Sequence, residues 1–122
     1  MFRVSVEQHF DAAHRLMGYH GKCEDLHGHR FQVKVTLEAS QLDDIGLAYD
    51  FAELKRQLGE ILAKFDHTYL NDVPPFDTIN PSSENIALTI YRELQAKLEG
   101  KSVSLAEVEV CESPEAGITY RP

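Results

Sequence analysis

The sequence predicts an α+β domain in which two helices cover one face of a four-stranded antiparallel sheet. Residues 29–39 alternate strictly between apolar and polar side chains, which is the period of a strand with one face toward water. Residues 51–65 and 87–98 instead repeat their apolar side chains with the period of an amphipathic helix. The elements follow in the order β-β-α-α-β-β, and strands grouped around paired helices are typical of α+β domains.

The N-terminal part of the chain predicts the first two strands. Residues 2–10 alternate, whereas residues 11–28 contain three glycines and many polar side chains, which predict mostly loop. The second strand covers residues 29–39. The apolar face of these two strands would carry Phe2, Val4, Val6 and Phe10 together with Phe31, Val33, Val35, Leu37 and Ala39.

Capping residues mark the start of both predicted helices. Asp50 can cap the first helix, and Glu53 three residues later completes a pair similar to a capping box. Ser82 or Ser83 can cap the second helix, which Gly100 would end. The two apolar stripes consist of Phe51, Leu54, Leu58, Ile61, Leu62 and Phe65, and of Ala87, Ile90, Tyr91, Leu94 and Leu98.

The remaining segments complete the sheet. Residues 66–81 contain three prolines and predict a loop. Residues 103–112 predict the third strand, residues 114–117 a turn and residues 118–120 a short fourth strand. An open four-stranded sheet leaves unpaired edges, so we expect oligomerisation through those edges.

Composition narrows the class of protein. A chain of 122 residues with 43% hydrophobic residues is expected to form one domain over residues 1–122. The net charge of −8 argues against nucleic acid as a partner, and no apolar run is long enough to predict a membrane span. The N-terminus shows no signal-peptide pattern, and two cysteines cannot build a disulfide framework. A cytoplasmic location is therefore expected.

Three of the six histidines form a candidate metal site. In an extended chain, His27 and His29 point the same way about 6.6 Å apart, so both imidazoles can converge on one ion. His14, at the end of the loop after the first strand, could supply a third nitrogen. Three histidines without an obvious fourth protein ligand are typical of a catalytic Zn²⁺ site. The alternative is that they are separate surface or core histidines.

Cys23 lies four residues before His27 and allows three interpretations. It could be a fourth zinc ligand that closes a structural site, a buried small hydrophobe, or a reactive thiolate beside the metal. Its charged neighbours Lys22, Glu24 and Asp25 argue against burial in an apolar core.

Two further features could carry chemistry. Asp66 next to His67 could form a general acid–base pair, although the alternative is a capping aspartate and a surface histidine. Glu112 follows the apolar face of the third strand, so it needs a partner unless the strand has already ended. As an ionised carboxylate it could accept paired N–H donors from a polar heterocycle.

Six motifs, in order along essentially the whole chain, resemble the 6-pyruvoyl-tetrahydropterin synthase family. They are Phe10-Asp11-Ala12-Ala13-His14, Cys23-x-x-x-His27-Gly28-His29, Asp50-Phe51-x-x-Leu54-Lys55, Asp66-His67-x-Tyr69-Leu70-Asn71, Pro81-Ser82-Ser83-Glu84-Asn85 and Glu112. The short length and the fourth motif are most similar to the bacterial 6-carboxy-5,6,7,8-tetrahydropterin synthase branch of queuosine (7-deazaguanine) biosynthesis. The resemblance implies a tunnelling (T-) fold, in which three sheets join into a barrel and two trimers stack into a homohexamer.

The resemblance also implies roles for individual residues. His14, His27 and His29 would hold Zn²⁺, and Cys23 would be the thiolate that abstracts a proton. A further branch of the family, which serves folate synthesis, carries Glu where this chain has Cys23.

The remaining implied roles concern proton transfer and the pterin. Asp66 and His67 would relay protons, and Glu112 would grip the pterin ring. The helix start at Ser82 and Ser83 would lie nearby, with Ser82 where relatives often show Thr. Active sites in the family lie between subunits, so these groups can come from neighbouring chains.

The implied reaction is that of a zinc-dependent lyase acting on 7,8-dihydroneopterin triphosphate. Its products would be 6-carboxytetrahydropterin, acetaldehyde and triphosphate, whereas the sister branch stops at 6-pyruvoyltetrahydropterin. Because the chain is acidic overall, local positive charge must attract the triphosphate, and Arg15, Lys22 and Arg30 flank the histidines. These three could equally be solvated surface charges.

Two other classes of function stay open from the sequence. A non-catalytic zinc-binding module would use Cys23 as the fourth ligand beside the three histidines. A nucleophilic hydrolase would be built on Cys23, Asp66 and His67, but it leaves the three histidines unexplained.

Overall fold

The computed structural model describes residues 1–18 and 26–122, which form a five-stranded sheet with two helices packed on one face. In chain order the elements are β1 (Phe2–His14), β2 (His27–Ala39), α1 (Phe51–Leu62), β3 (Thr68–Tyr69), α2 (Ser83–Lys97), β4 (Ser104–Ser113) and β5 (Ala116–Tyr120). The strand order in the sheet is β3-β1-β2-β4-β5. Neither of the helices within these residues has the length and apolar character needed to cross a membrane.

The α+β class and the order of the four antiparallel strands are confirmed, but a fifth strand makes the sheet mixed. β1, β2, β4 and β5 pair antiparallel, whereas β3 lies parallel to β1. The prediction of a four-stranded, purely antiparallel sheet is wrong in this detail. Residues 66–81 are predicted as loop because a two-residue strand is too short to show alternation.

The first two strands are longer than predicted, and this places the histidines on the sheet. Their register continues without a shift to the pair His14–His27, so both ends of the predicted loop 11–28 are strand. Ala13 and Gly28 favour strands weakly, and the ladder between β1 and β2 holds them extended. His14 is consequently a strand residue and not the end of a loop.

The inward faces of the sheet and of both helices form one hydrophobic core. Phe10 and Phe31 stack with their ring centroids 4.9 Å apart, and Phe65 packs 5.9 Å from Phe10. Phe51 differs from the prediction, because its side chain is exposed at the first residue of α1. The core lies under the sheet end that carries the histidines, since Phe31 also contacts His14 at 5.2 Å.

Both helices begin at predicted capping residues. The Asp50 carboxylate accepts the N–H of Ala52, and the Ser82 hydroxyl accepts the N–H of Asn85. The predicted capping box is wrong, because both oxygens of the Glu53 carboxylate accept hydrogen bonds from the Arg56 side chain, one turn further along α1. The cap of α2 at Ser82 lies beside the candidate site described below.

Candidate active site

The structure brings the three predicted metal-ligating histidines together at one end of the β1–β2 ladder. His14 and His27 are register partners, and His29 lies two residues further along β2, on the same face. The ring centroids of His14 and His27 are 4.4 Å apart, and those of His27 and His29 are 4.5 Å apart. The interpretation that these are separate surface or core histidines does not fit this arrangement.

Glu112, near the end of β4, completes the cluster. Its Oε2 lies 3.9 Å from Nε2 of His14 and 3.9 Å from Nε2 of His29. One possible ligand atom from each of His14, His27, His29 and Glu112 lies within 4.8 Å of the other three. The carboxylate therefore faces the imidazoles, and it is not the fully solvated end of a strand.

One ring nitrogen of His14 contacts a backbone carbonyl, and the other has no hydrogen-bond partner within the described part of the chain. Its Nδ1 lies 2.7 Å from the carbonyl oxygen of Pro81. Because a carbonyl oxygen only accepts, Nδ1 carries the proton and Nε2 holds the lone pair. Among the side chains of residues 1–18 and 26–122, His14 Nε2 is the one buried polar atom without a hydrogen-bond partner.

This donor set fits a zinc ion. Zn²⁺ binds neutral imidazole nitrogens and carboxylate oxygens, and the partner that orients a ligating histidine is commonly a backbone carbonyl. Burial lowers the pKa of His14 and of His29, which favours the neutral form that binds metal. The orphaned Nε2 of His14 is the atom that such an ion would satisfy.

The lowered pKa values predict how stability depends on pH when no metal is bound. Unfolding returns His14 and His29 toward the ordinary pKa of 6.5, so the unfolded chain binds more protons. The free energy of unfolding should therefore fall as the pH decreases through and below 6.5. Urea unfolding of metal-free protein at neutral and mildly acidic pH measures this loss. A His14→Gln variant should lose less over the same range, and an equal loss would contradict the assignment.

Asp66 and His67 form a hydrogen-bonded pair beside β1. His67 Nδ1 lies 3.0 Å from Asp66 Oδ2, and the other carboxylate oxygen accepts the N–H of Asp11 at 2.9 Å. The N–H of His67 donates to the carbonyl of Asp11 at 2.6 Å. The donated N–H of Asp11 lowers the pKa of Asp66, which keeps that carboxylate ionised.

The backbone at His67 is strained in a way that suits a functional residue. Its φ of 58° lies in the left-handed region that side chains rarely adopt. Such positions concentrate at functional sites, and here the contacts to Asp11 hold the conformation. The side chain of His67 is 79% exposed, so its outer ring nitrogen faces away from this chain's own core.

Asp11 lies beside Asp66 and His67, and these three residues form a second cluster. The sequence analysis missed the role of Asp11. The Asp11 carboxylate binds Arg30 in two places, Nε at 2.9 Å and Nη2 at 3.1 Å, and this pairing lowers the pKa of Asp11. Arg30 is therefore already paired, which weakens it as a site for triphosphate. Asp11 and Arg30 are directly opposed in the register of β1 and β2. The sequence analysis missed their pairing because strand register cannot be read from a single sequence.

The two clusters lie on opposite faces of the sheet. Side chains alternate along a strand, so Asp11 points away from the face that carries His14. Asp66 and His67 lie beside the Asp11 carboxylate, within 4.8 Å by their possible ligand atoms. Among the described residues, the Asp66–His67 pair is therefore grouped with the Asp11 carboxylate and not with the histidine cluster.

A small cavity of about 210 Å³ opens beside Glu112. Ser82 and Ser83, at the start of α2, line this cavity. Sequence reasoning missed the rest of the lining apart from His14 and Glu112, and these residues are Leu16, Glu84, Ala116, Gly117 and Ile118. The cavity is thus bordered by the His14 residue, the Glu112 residue and the cap of α2.

Gly117 in this cavity has no room for a side chain. A Cβ at this position would lie 2.4 Å from Sγ of Cys111. Gly117→Ala should therefore lower the free energy of unfolding by about 1–3 kcal/mol, measured by urea unfolding. A Cys111→Ala/Gly117→Ala double variant should recover part of the loss. A double variant no more stable than Gly117→Ala would show that the sulfur is not the obstacle.

Two predicted residues, Cys23 and Lys22, lie outside the described residues, and their roles stay predictions. Arg15 is described, and its backbone N–H and carbonyl are both bound by the side chain of Asn71. Its part in attracting a triphosphate also stays a prediction.

The chain is similar to known pterin synthases along nearly its whole length. Residues 3–122 match the family described as 6-pyruvoyl tetrahydropterin synthase. A 6-carboxy-5,6,7,8-tetrahydropterin synthase of Synechocystis is 36% identical over 126 residues, covering 98% of this chain and 93% of that protein. A protein of the same name from Bacillus subtilis is 33% identical over 128 residues, covering 99% and 86%.

Solved structures agree with the architecture. The structure of Caenorhabditis elegans 6-pyruvoyl tetrahydropterin synthase matches with a TM-score of 0.84 at 33% identity and covers 100% of this chain and 97% of that one. The tunnelling fold is thereby confirmed.

Proposed function

Because the chain belongs to the 6-pyruvoyl tetrahydropterin synthase family, we propose that it is a zinc-dependent lyase that forms 6-carboxy-5,6,7,8-tetrahydropterin. Its substrates are 7,8-dihydroneopterin triphosphate and water, and the other products are acetaldehyde and triphosphate. The observation that carries the proposal is the cluster of three imidazoles beside the cavity at Glu112. The names of the Synechocystis and Bacillus subtilis relatives favour the carboxy product, and this product would serve queuosine biosynthesis in the cytoplasm.

His14, His27 and His29 are the residues that would hold the metal. When bound, Zn²⁺ would supply Lewis-acid polarisation of the hydroxyl oxygens of the substrate side chain. The Nε2 lone pair of His14 already points away from Pro81 and toward this cluster.

The protein side chains carry the other steps of the proposal. Cys23 removes a proton from the side chain of the substrate, and His67 exchanges protons as the triphosphate leaves and the side chain is cleaved. Asp66 accepts the Nδ1 proton of His67, which leaves Nε2 free to take up or release a proton. Glu112 accepts paired N–H groups of the pterin, a role that suits its place on the cavity wall near Ser82 and Ser83.

The proposed enzyme is a homo-oligomer, a hexamer built as a dimer of trimers. The supporting observation is that the Asp66–His67 pair lies on the face of the sheet opposite to the histidine cluster. A neighbouring copy would therefore supply this pair to each site. The high exposure of His67 in the single chain is consistent with a neighbour covering it.

Product analysis tests the reaction. Purified protein loaded with Zn²⁺ is incubated with 7,8-dihydroneopterin triphosphate, and the pterin and aldehyde products are identified by mass spectrometry. Acetaldehyde with the 6-carboxy product is the expected outcome. Only the 6-pyruvoyl product would assign the chain to the sister activity, and no conversion would refute the proposal.

X-ray absorption at the zinc edge separates the enzyme from a non-catalytic zinc module. Only nitrogen and oxygen neighbours are expected, because Cys23 is proposed to be unligated. A Zn–S distance of about 2.3 Å would instead indicate a closed structural site.

Glu112→Gln is predicted to weaken substrate capture more than metal binding. Glutamine keeps the size of the side chain but replaces one accepting oxygen by a donor, which opposes the N–H groups of the pterin. We expect KM to rise by about 10- to 100-fold, consistent with the loss of about 1.5–3 kcal/mol from a charged hydrogen bond. Steady-state kinetics and zinc content measure the two effects. Lost zinc with an unchanged KM would make Glu112 a metal ligand instead.

A further inference from the structure

We propose that Asn80 is a positioning residue that holds the carbonyl of Pro81 against His14, an inference that rests on the proposed metal site. No part of Asn80 belongs to the histidine cluster. Its influence would pass through one peptide unit to the imidazole that binds the metal.

Asn80 is held by three hydrogen bonds. Its side-chain oxygen accepts the N–H of Met17 at 2.9 Å, and its Nδ2 donates to the carbonyl of Met17 at 2.8 Å. Its own carbonyl accepts Nδ2 of Asn85 at 2.9 Å. The residue before Pro81 is thus bound on both its side chain and its backbone.

Pro81 itself has little freedom between two bound neighbours. Its ring restricts φ, and the hydroxyl of Ser82 on the other side accepts the N–H of Asn85 at 3.1 Å as the cap of α2. The carbonyl of Pro81 is therefore presented to Nδ1 of His14, 2.7 Å away, with its direction set in advance.

These contacts close a ring that includes the metal ligand. The chain runs from His14 to Met17, the two amide hydrogen bonds cross from Met17 to Asn80, and the carbonyl of Pro81 returns to His14. Removal of the Asn80 side chain opens this ring at two bonds. The imidazole would then lose the fixed acceptor that sets which of its nitrogens carries the proton.

The expected consequence is weaker metal binding. Partners that orient metal-ligating histidines typically contribute about 10- to 100-fold to metal affinity. Asn80→Ala should therefore weaken the affinity for Zn²⁺ by about 10-fold or more.

Asn71 offers a matched control. Its side chain makes the same two-way contact with Arg15, whose N–H and carbonyl both lie 2.9 Å from the amide. Asn71→Ala also removes two exposed hydrogen bonds to the segment that follows β1, but it leaves Asn80 and Pro81 unchanged. A purely structural role for these amides predicts equal effects of the two variants.

The experiment compares wild-type protein with Asn80→Ala and Asn71→Ala. Zn²⁺ affinity is measured by competition with a chromophoric chelator, and the Nδ1 proton of His14 is observed by NMR in metal-free protein. We expect weaker zinc binding and a lost or exchange-broadened proton signal in Asn80→Ala only, with similar thermal stability of both variants. Equal zinc affinities of the two variants, or an unchanged His14 signal in Asn80→Ala, would overturn the proposal.

A second variant and a metal-free measurement cover the cases in which Asn80→Ala does not fold or the protein binds no zinc. If Asn80→Ala does not fold, Asn80→Asp retains the acceptor for the N–H of Met17 but turns the donor into an accepting oxygen that faces the carbonyl of Met17. We then expect weaker zinc binding than in wild-type protein, and wild-type zinc affinity in Asn80→Asp would contradict the proposal. If wild-type protein binds no zinc, the proposed function fails, whereas the NMR signal of the metal-free variants still decides whether Asn80 positions His14.

Discussion

His27→Ala should abolish zinc binding and turnover together. His27 is the register partner of His14 and lies within ring contact of both other histidines, so its loss leaves two imidazoles and Glu112. Loss of a partner outside the ligand set costs about 10- to 100-fold in metal affinity, and we expect loss of a ligand to cost more than about 100-fold. Inductively coupled plasma mass spectrometry of the purified variant and a product assay measure the two losses.

His9→Ala is the control for this experiment. His9 lies on the same strand as His14 but is exposed and points to the other face of the sheet. The control should keep stoichiometric zinc and full turnover. Stoichiometric zinc in His27→Ala would remove His27 from the ligand set.

Asp66→Asn should lower kcat by about 10²- to 10⁴-fold while zinc remains bound, the range expected for loss of general acid–base catalysis. The substitution keeps the shape of the side chain and an acceptor for the N–H of Asp11. It removes the negative charge that accepts the Nδ1 proton of His67 and stabilises a protonated ring.

Zinc content and the pH profile of kcat distinguish this role from a structural one. Asp72→Asn changes an exposed carboxylate in the same segment and should leave kcat unchanged. A loss of zinc in step with kcat would show that Asp66 supports the fold of the site instead of the chemistry. An unchanged kcat would remove the Asp66–His67 pair from the mechanism.

The sequence could predict which residues meet in the histidine cluster because the signals are local. His27 and His29 have strand spacing, and the apolar alternation that follows them indicates the direction of β2. His14 could be added only as a candidate, since its partnership with His27 depends on how far β1 and β2 pair. That pairing extends through Ala13 and Gly28, which carry little strand signal of their own.

Contacts between distant segments could not be read from the sequence. The Asp11–Arg30 pair depends on strand register, and β3 exists because two residues happen to lie along β1. The same holds for the carbonyl of Pro81, which meets His14 across 67 positions of chain. These contacts determine the protonation and orientation of the site residues, so the sequence indicates the chemical groups but not their states.

Because the two clusters lie on opposite faces of one sheet, two variants that each lose one cluster can be tested for complementation. Chains carrying His27→Ala retain an intact Asp66–His67 pair, and chains carrying His67→Ala retain an intact histidine cluster. If the protein forms the proposed homo-oligomer, mixed assemblies of these two inactive variants would contain some sites in which the intact part of each chain meets, and coexpression should restore a fraction of turnover. A mixture that stays inactive at every ratio would mean that each chain works alone.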